Sequence, residues 1–367
     1  MKLLIDGYYL DKPRGMGRYL QELLSAVARY APVHCAIRVM IPDDIRDTLL
    51  VSPQRISYIR KKRLPFPVWE QFSVPFTVLA ERADVVHFPY NTMPVCMNLP
   101  FLGRLFHSKR VVTVHDLIYM TSSGGNFYQG WGNRYRKFCV KLISKYKTSV
   151  ITDSHYSAAE IKSRLKLDSE VVYIPVERTC PEQFGGRAIV DKWMSSKNYL
   201  LHIGGVSPHK NSTRCVQAFI DAKLDGWQLA VLGMPSNCEL AQAHAGNLAI
   251  QFPGWVSDHE MRTILGHANG VLFPSLMEGY GLPIVEAFAS GQPLLTSDLP
   301  PMNELAANAA ILVDPTSVSQ LTEGILKMVC DQPGSARLVE QGYLRMKEIT
   351  SSKMAEKMFA VYGVVKR

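Results

Sequence analysis

Short apolar, β-branched runs alternate with longer stretches of helical period along most of this chain. Runs at 3–5, 35–41, 84–88, 111–115, 149–152 and 171–174 predict strands, and the stretches 17–30, 72–83, 133–147 and 156–165 predict helices. A second series follows, with strands at 199–203, 228–232, 248–252, 270–273, 293–296 and 310–313. Its helices are expected at 211–222, 258–267, 282–290, 318–328 and 336–349. Strand-helix alternation of this kind builds a parallel sheet covered on both faces. Between the two series, 177–191 holds Pro181 and the pair Gly185-Gly186 with little periodicity, and reads as a link. The expected fold is α/β: two tandem Rossmann-like, doubly wound parallel-sheet domains facing across a cleft. The boundaries are 1–180 and 192–350, with a last helix within 351–367 packing back on the first domain. In open sheets of this class ligands gather at the carboxyl ends of strands, so the cleft is the default site.

Composition narrows the class. A chain of 367 residues suits two domains, and 47% hydrophobic with 20% charged residues excludes collagen, coiled coil and long disorder. No apolar run reaches the roughly 18–20 residues of a membrane-spanning helix. Met1 to Ile5 resembles a signal peptide until Asp6 interrupts it, so the expectation is a mature N-terminus and a cytoplasmic protein. The seven cysteines (Cys35, Cys96, Cys139, Cys180, Cys215, Cys238 and Cys330) show no zinc or redox spacing, as suits free thiols in a reducing compartment. Lys plus Arg outnumber Asp plus Glu by 41 to 32, a formal charge of +9. That balance fits phosphate-bearing ligands, nucleic acid or an anionic membrane, and does not choose among them.

The richest segment for chemistry is Glu278-Gly279-Tyr280-Gly281-Leu282-Pro283-Ile284-Val285-Glu286, between an expected strand and an expected helix. Gly279 and Gly281 admit a ligand close to the backbone, and Pro283 suits the first helical turn. The helix N-terminus offers free N–H groups to an anion, and the two carboxylates suit paired sugar or ribose hydroxyls. Acids beside a helix N-terminus are favoured by the dipole in any case. Upstream, Gly204 and Gly205 could turn N–H groups to a phosphate, with Lys210 as a point charge and Asn211 as N-cap. A plain strand-helix loop with a solvated lysine explains that segment equally well. At 252–258, Ser257 or Asp258 caps a helix and Val256 could lie against a nucleobase. Gly15-Met16-Gly17-Arg18 is a Gly-rich turn opening a helix, without the third glycine of a dinucleotide fingerprint. His115-Asp116 ends one strand and Thr152-Asp153-Ser154 another, with Ser154 an N-cap. No histidine pair has metal spacing, and no phosphate-loop lysine motif or nucleophile elbow is present.

From Glu278 to Glu286, with Gly204 to Asn211 upstream, the sequence resembles glycosyltransferase family four, retaining enzymes of GT-B fold. The resemblance extends to the early Gly-rich loop, the His-Asp strand end and Pro300-Pro301-Met302-Asn303-Glu304. It implies a UDP- or GDP-sugar donor held mainly by the second domain, without a metal or other cofactor. Glu286 would hold the ribose and Glu278 the donor sugar. Gly279, Tyr280, Gly281 and Leu282 would surround sugar and phosphates, and Gly204, Gly205 and Lys210 would meet the diphosphate. Val256 would meet the base, Gly15, Met16 and Gly17 the phosphates, and His115 and Asp116 the sugar and acceptor. One position departs: the family often has arginine where Gly205 stands, so diphosphate binding would lean on Lys210, backbone N–H groups and Arg18 or His209. The implied activity is transfer of a glucose- or mannose-type hexose to a glycan hydroxyl in surface-polysaccharide assembly. Epimerisation or hydrolysis of the nucleotide sugar on the same fold, and binding without turnover, are the alternatives.

Two basic segments bear on the acceptor. Arg60-Lys61-Lys62-Arg63 precedes Leu64-Pro65-Phe66-Pro67-Val68-Trp69. Residues 131–147, from Trp131 to Lys147, carry Arg134, Arg136, Lys137, Lys141 and Lys145 among aromatic and aliphatic side chains. A core helix with a solvated basic face and a helix docking on anionic lipid, to reach a lipid-linked glycan, both fit. No recognition motif supports nucleic acid.

Overall fold

The computed structural model describes residues 1–12, 15–99, 102–121, 127–144, 148–178 and 185–364. The chain divides into two compact units, 1–175 with 349–367, and 176–348.

Among the described residues the first unit holds seven parallel strands: β1 (Lys2–Asp6), β2 (Ala36–Pro42), β3 (Ile56–Lys61), β4 (Val85–Phe88), β5 (Lys109–Thr113), β6 (Ser149–Thr152) and β7 (Ser169–Val171). Their order is β3-β2-β1-β4-β5-β6-β7. The second unit holds β8 (Asn198–Ile203), β9 (Trp227–Leu232), β10 (Ile250–Gly254), β11 (Val271–Phe273), β12 (Leu294–Ser297) and β13 (Ile311–Val313), ordered β10-β9-β8-β11-β12-β13. Both sheets run outward in both directions from a central pair, β1–β4 and β8–β11. The chain reverses its direction of travel there, so a crevice opens at the carboxyl ends of that pair. The central strands are buried on both faces: Leu3, Ile5, Val86 and Val112 in the first sheet, Leu200 and Leu272 on one face and Leu201 and Val271 on the other in the second.

Several elements differ from the pattern. β3 escapes the apolar signal because it is an edge strand: only Ile56 is buried, and the rest is half-buried or exposed. Such an edge resists pairing with other chains. Arg60 and Arg63 beside it are held internally, Arg60 by Asp47 and Arg63 by Asp44 (2.7 Å) and Asp11 (2.9 Å). The helix expected at 72–83 begins earlier, as a helical turn Phe66–Val68, a π-helical turn Trp69–Ser73 and a regular helix Val74–Glu81. Pro75 has no N–H to give to the carbonyl four residues back, which favours a widened turn at that point.

The expected link at 177–191 is not loose where it is described. From Gly185 it belongs to the second unit: Gly185 N–H donates to Thr263 Oγ1 (3.1 Å), and Arg187–Lys192 forms a 3₁₀ turn with Val190 fully buried. Pro181 lies outside the described residues, as does Cys180. The other six cysteines are free thiols.

The final helix, Ser351–Tyr362, belongs to the first unit and lies against the helix Met16–Tyr30. Met354, Ala355, Met358 and Tyr362 are buried there. Tyr362 OH meets His87 Nδ1 (2.9 Å), whose Nε2 meets Thr113 Oγ1 (2.7 Å). Burial, helped by the charge of His115, lowers His87 to about 3, so His87 is a neutral link.

Candidate functional site

In the second unit the loops leaving β8 and β11 are stitched together. Lys210 Nζ binds Glu278 Oε1 at 2.7 Å and lies 5.3 Å from the centre of the Phe273 ring. Leu276 N–H donates to the His209 carbonyl (2.7 Å), and Asn211 Nδ2 donates to the carbonyls of Pro274 (3.0 Å) and Pro315 (2.7 Å). Asn211 therefore does not cap its helix through its side chain. It sits at φ +59 and clamps three loops together. Ser257 does cap, in a reciprocal box with Glu260, and half-buried Val256 precedes it.

The motif's glycines separate by cause. Gly281 has φ +106 at the head of the helix Leu282–Ala289, where only glycine sits without strain. A Cβ on Gly204 would lie 2.7 Å from Ser212 Oγ and 2.8 Å from His202 Nε2, so packing within the unit explains it. At Gly205 a Cβ would press on the Lys210 stem, 3.2 Å away, so the family's arginine is missing where Lys210 lies across the loop. Tyr280 is buried, while Gly279, Leu282 and Glu286 are half-buried. Ser275, two residues beyond β11, is a buried residue that motif reading passed over, and its Oγ has no hydrogen-bond partner among the described residues. Met302–Ala306, which begins within the segment Pro300 to Glu304, is a short helix.

In the first unit, His115 follows β5 and is held from three sides. Its N–H donates to Asn91 Oδ1 (2.7 Å), its Nε2 donates to the Pro89 carbonyl (3.0 Å), and its Nδ1 meets Asp153 Oδ2 at 2.5 Å. A carbonyl only accepts, so Nε2 carries a proton, and a further proton lies between Nδ1 and Asp153. Burial alone would lower His115, but the Asp153 carboxylate outweighs it, and the net shift is upward. Both ring nitrogens are thus engaged within the unit, and the expected contact of His115 with sugar or acceptor requires one of these bonds to be exchanged. Asp116, half-buried, accepts the Ile118 N–H (2.9 Å), and burial raises its carboxyl. Motif reading singled out neither Asp153 as the partner of His115 nor its second oxygen. That oxygen is buried and without a hydrogen-bond partner among the described residues.

Gly15, at φ +58, has nothing among the described residues within 4 Å of where a Cβ would stand, and Met16 is half-buried. Gly17 is glycine because the Lys12 carbonyl would lie 2.0 Å from a Cβ. Arg18 is paired with Glu22 at 2.8 Å. Two acids of this unit are buried, Asp6 at the end of β1 and Glu70 in the turn Trp69–Ser73. Asp6 accepts from Trp69 Nε1 (2.9 Å), and Glu70 accepts from Thr92 Oγ1 (2.5 Å), Gln71 Nε2 (3.0 Å) and Tyr135 OH. Burial raises each to about 7.

Residues 13–177 match the family profile described as Glycosyltransferase Family 4, and residues 190–345 match Glycosyl transferases group 1. This chain belongs to the family-four glycosyltransferases. The enzyme is 27% identical over 320 residues to the O-antigen chain mannosyltransferase RfbU of Salmonella typhimurium, covering 82% of this chain and 83% of that one. It is 23% identical to O-antigen chain mannosyltransferase B of Escherichia coli, across 66% and 67% of the two chains. The transferase superposes on Anabaena HepE, solved in complex with UDP and glucose, with a TM-score of 0.74, 16% identity and full coverage of both chains. The fold of the enzyme is GT-B.

Proposed function

We propose that the enzyme moves a hexose, with retention of configuration, from a nucleotide diphosphate sugar to a hydroxyl of a surface-polysaccharide glycan. Mannose is the sugar to test first, because the O-antigen relatives are mannosyltransferases. Their transferase activity also favours transfer over epimerisation or hydrolysis.

The observation that carries the reading is the Lys210–Glu278 pair at the carboxyl end of β8 and β11, beside the N-terminus of Leu282–Ala289. On donor binding the ammonium exchanges its carboxylate for the diphosphate, and Glu278 turns to the sugar hydroxyls. The positive charge then faces the oxygen that gains charge as the glycosidic bond breaks, where such a group stabilises most. Glu286, just over one turn into the helix, accepts from the ribose hydroxyls, and Val256 lies against the base. The acceptor is a glycan, lipid-linked in the fuller form of the reading, met by the first unit at an anionic membrane face.

A thermal-shift titration with GDP, UDP and their sugar conjugates tests this. At a hundredfold excess over Kd, one nucleotide family should raise Tm by about 5 °C or more. Glu286→Ala should erase that rise and leave the unliganded Tm unchanged. No rise with any nucleotide would overturn the donor site.

A further inference from the structure

The helical segment from Phe66 to Glu81 carries large apolar side chains on its inward and on its outward face. Trp69, Val74 and Val78 pack inward. On the other side Val68, Phe72, Phe76 and Leu79 follow one another at spacings of four, four and three, and so line a single face. That face is open: Phe72 is 60% exposed, Phe76 69%, and Val68 and Leu79 41% each. A contiguous exposed apolar surface of this kind marks an interaction site.

Charge selects the partner. Lys61 and Lys62 stand exposed just before the stripe, and Arg82 stands exposed just after it. The acids of the same stretch are engaged elsewhere: Glu70 is buried, Glu81 binds Arg38 (2.5 Å), and Asp84 accepts the Lys2 N–H (2.6 Å). Beside the stripe, Gln71 Nε2 donates to Tyr135 OH (2.7 Å), which brings up the helix Phe127–Ile143 with Arg134 and Lys141 exposed. The charge is concentrated on this unit. It has 29 Lys and Arg against 15 Asp and Glu, while the second unit has 12 against 17, so the formal charges are +14 and −5.

We propose that the Val68–Phe72–Phe76–Leu79 stripe, with its flanking bases, seats the first unit on a bilayer of anionic phospholipid. The apolar side chains enter the acyl boundary while Lys61, Lys62 and Arg82 meet headgroup phosphates. The inference deepens the lipid-linked form of the reading above and rests on it. It also moves the docking face from the basic segment 131–147, of which 145–147 lie outside the described residues and Cys139, Val140 and Ile143 are committed to the core, to the segment Phe66 to Glu81.

Co-sedimentation of the full chain with vesicles tests it, comparing phosphatidylglycerol–cardiolipin mixtures with pure phosphatidylcholine. The chain should bind the anionic vesicles, less so at high salt, and stay in solution with phosphatidylcholine. Phe72→Ser with Phe76→Ser should weaken binding about tenfold or more. Lys61→Glu with Lys62→Glu should weaken it too. Both should leave Tm and the Tm rise with GDP or UDP unchanged, which separates failure here from failure of the donor site. Wild type unbound by either vesicle, or variants that bind as well as wild type, would overturn the proposal. So would a wild-type dimer that the Phe variants convert to monomer without vesicle binding, which would assign the stripe to a second copy.

Discussion

At the scale of single residues, the most consequential contact joins two strand ends 38 positions apart. His115 and Asp153 share a proton at 2.5 Å, and the histidine keeps only 12% of its side chain exposed. A histidine raised above 6.5 adds stability that is complete below that value and fades as pH rises through its folded value. Asp153→Asn should therefore destabilise by about 3 kcal/mol near pH 6, the cost of breaking a buried pair, and by less near pH 9. Urea midpoints of both proteins at the two pH values check this, and a pH-independent gap would count against the shared proton. The sequence made His115 conspicuous, but nothing in a Thr-Asp-Ser string tells a partner from a cap neighbour. Asn211 misled in the same way: its position fits a cap, and only the fold brings Pro274 and Pro315 within its reach. The sequence places Glu278 and Lys210 each after a buried strand, but only the fold makes those strands the central pair of one sheet and pairs the two side chains.

At the scale of elements, the π-helical turn Trp69–Ser73 is where several demands meet. Its residues bind β1 through Asp6, the loop after β4 through Thr92, and the helix Phe127–Ile143 through Tyr135. Glu70 carries two of these ties with a carboxyl raised to about 7 by burial. For an acid raised in the folded state, stability is complete below its unfolded value near 4.5 and is lost as pH climbs through about 7. Wild type should thus lose about 3 kcal/mol from Glu70 between pH 4.5 and 8. Glu70→Gln cannot ionise and should show a flatter profile by chemical denaturation. A slope unchanged by the substitution would mean that Glu70 is ionised throughout. Apolar periodicity announced a helix here, but period alone does not say whether a side is covered, so the same pattern reads as core when part of it faces solvent. The edge strand β3 is the converse case, invisible because only Ile56 needs burying.

At the scale of the molecule, both sheets were legible as a class because central parallel strands must be apolar on both faces. Where the chain leaves one unit for the other was less so, since turn residues within 177–191 look alike whether they pack or not. The return of Ser351–Tyr362 to the first unit is a load on the sheet as well as a cover. Tyr362→Phe should leave the fully buried His87 Nδ1 unsatisfied and cost roughly 1–2 kcal/mol. A change much below that in denaturation experiments would show that His87 finds another partner.

That return also sets an order of events in time. The first unit is interrupted by the 173 residues of the second, 176–348, and is completed only by the helix that follows them. At roughly 5–20 residues per second, a ribosome takes about 10–35 s to make the intervening stretch. Throughout that interval the first unit exists with the seat of Met354, Met358 and Tyr362 unfilled and His87 lacking its hydroxyl. The second unit meets no such delay, since every strand it needs is consecutive. Newly made enzyme therefore passes through a stage with one half finished and the other waiting, and folding helpers would find their binding surface in that waiting half.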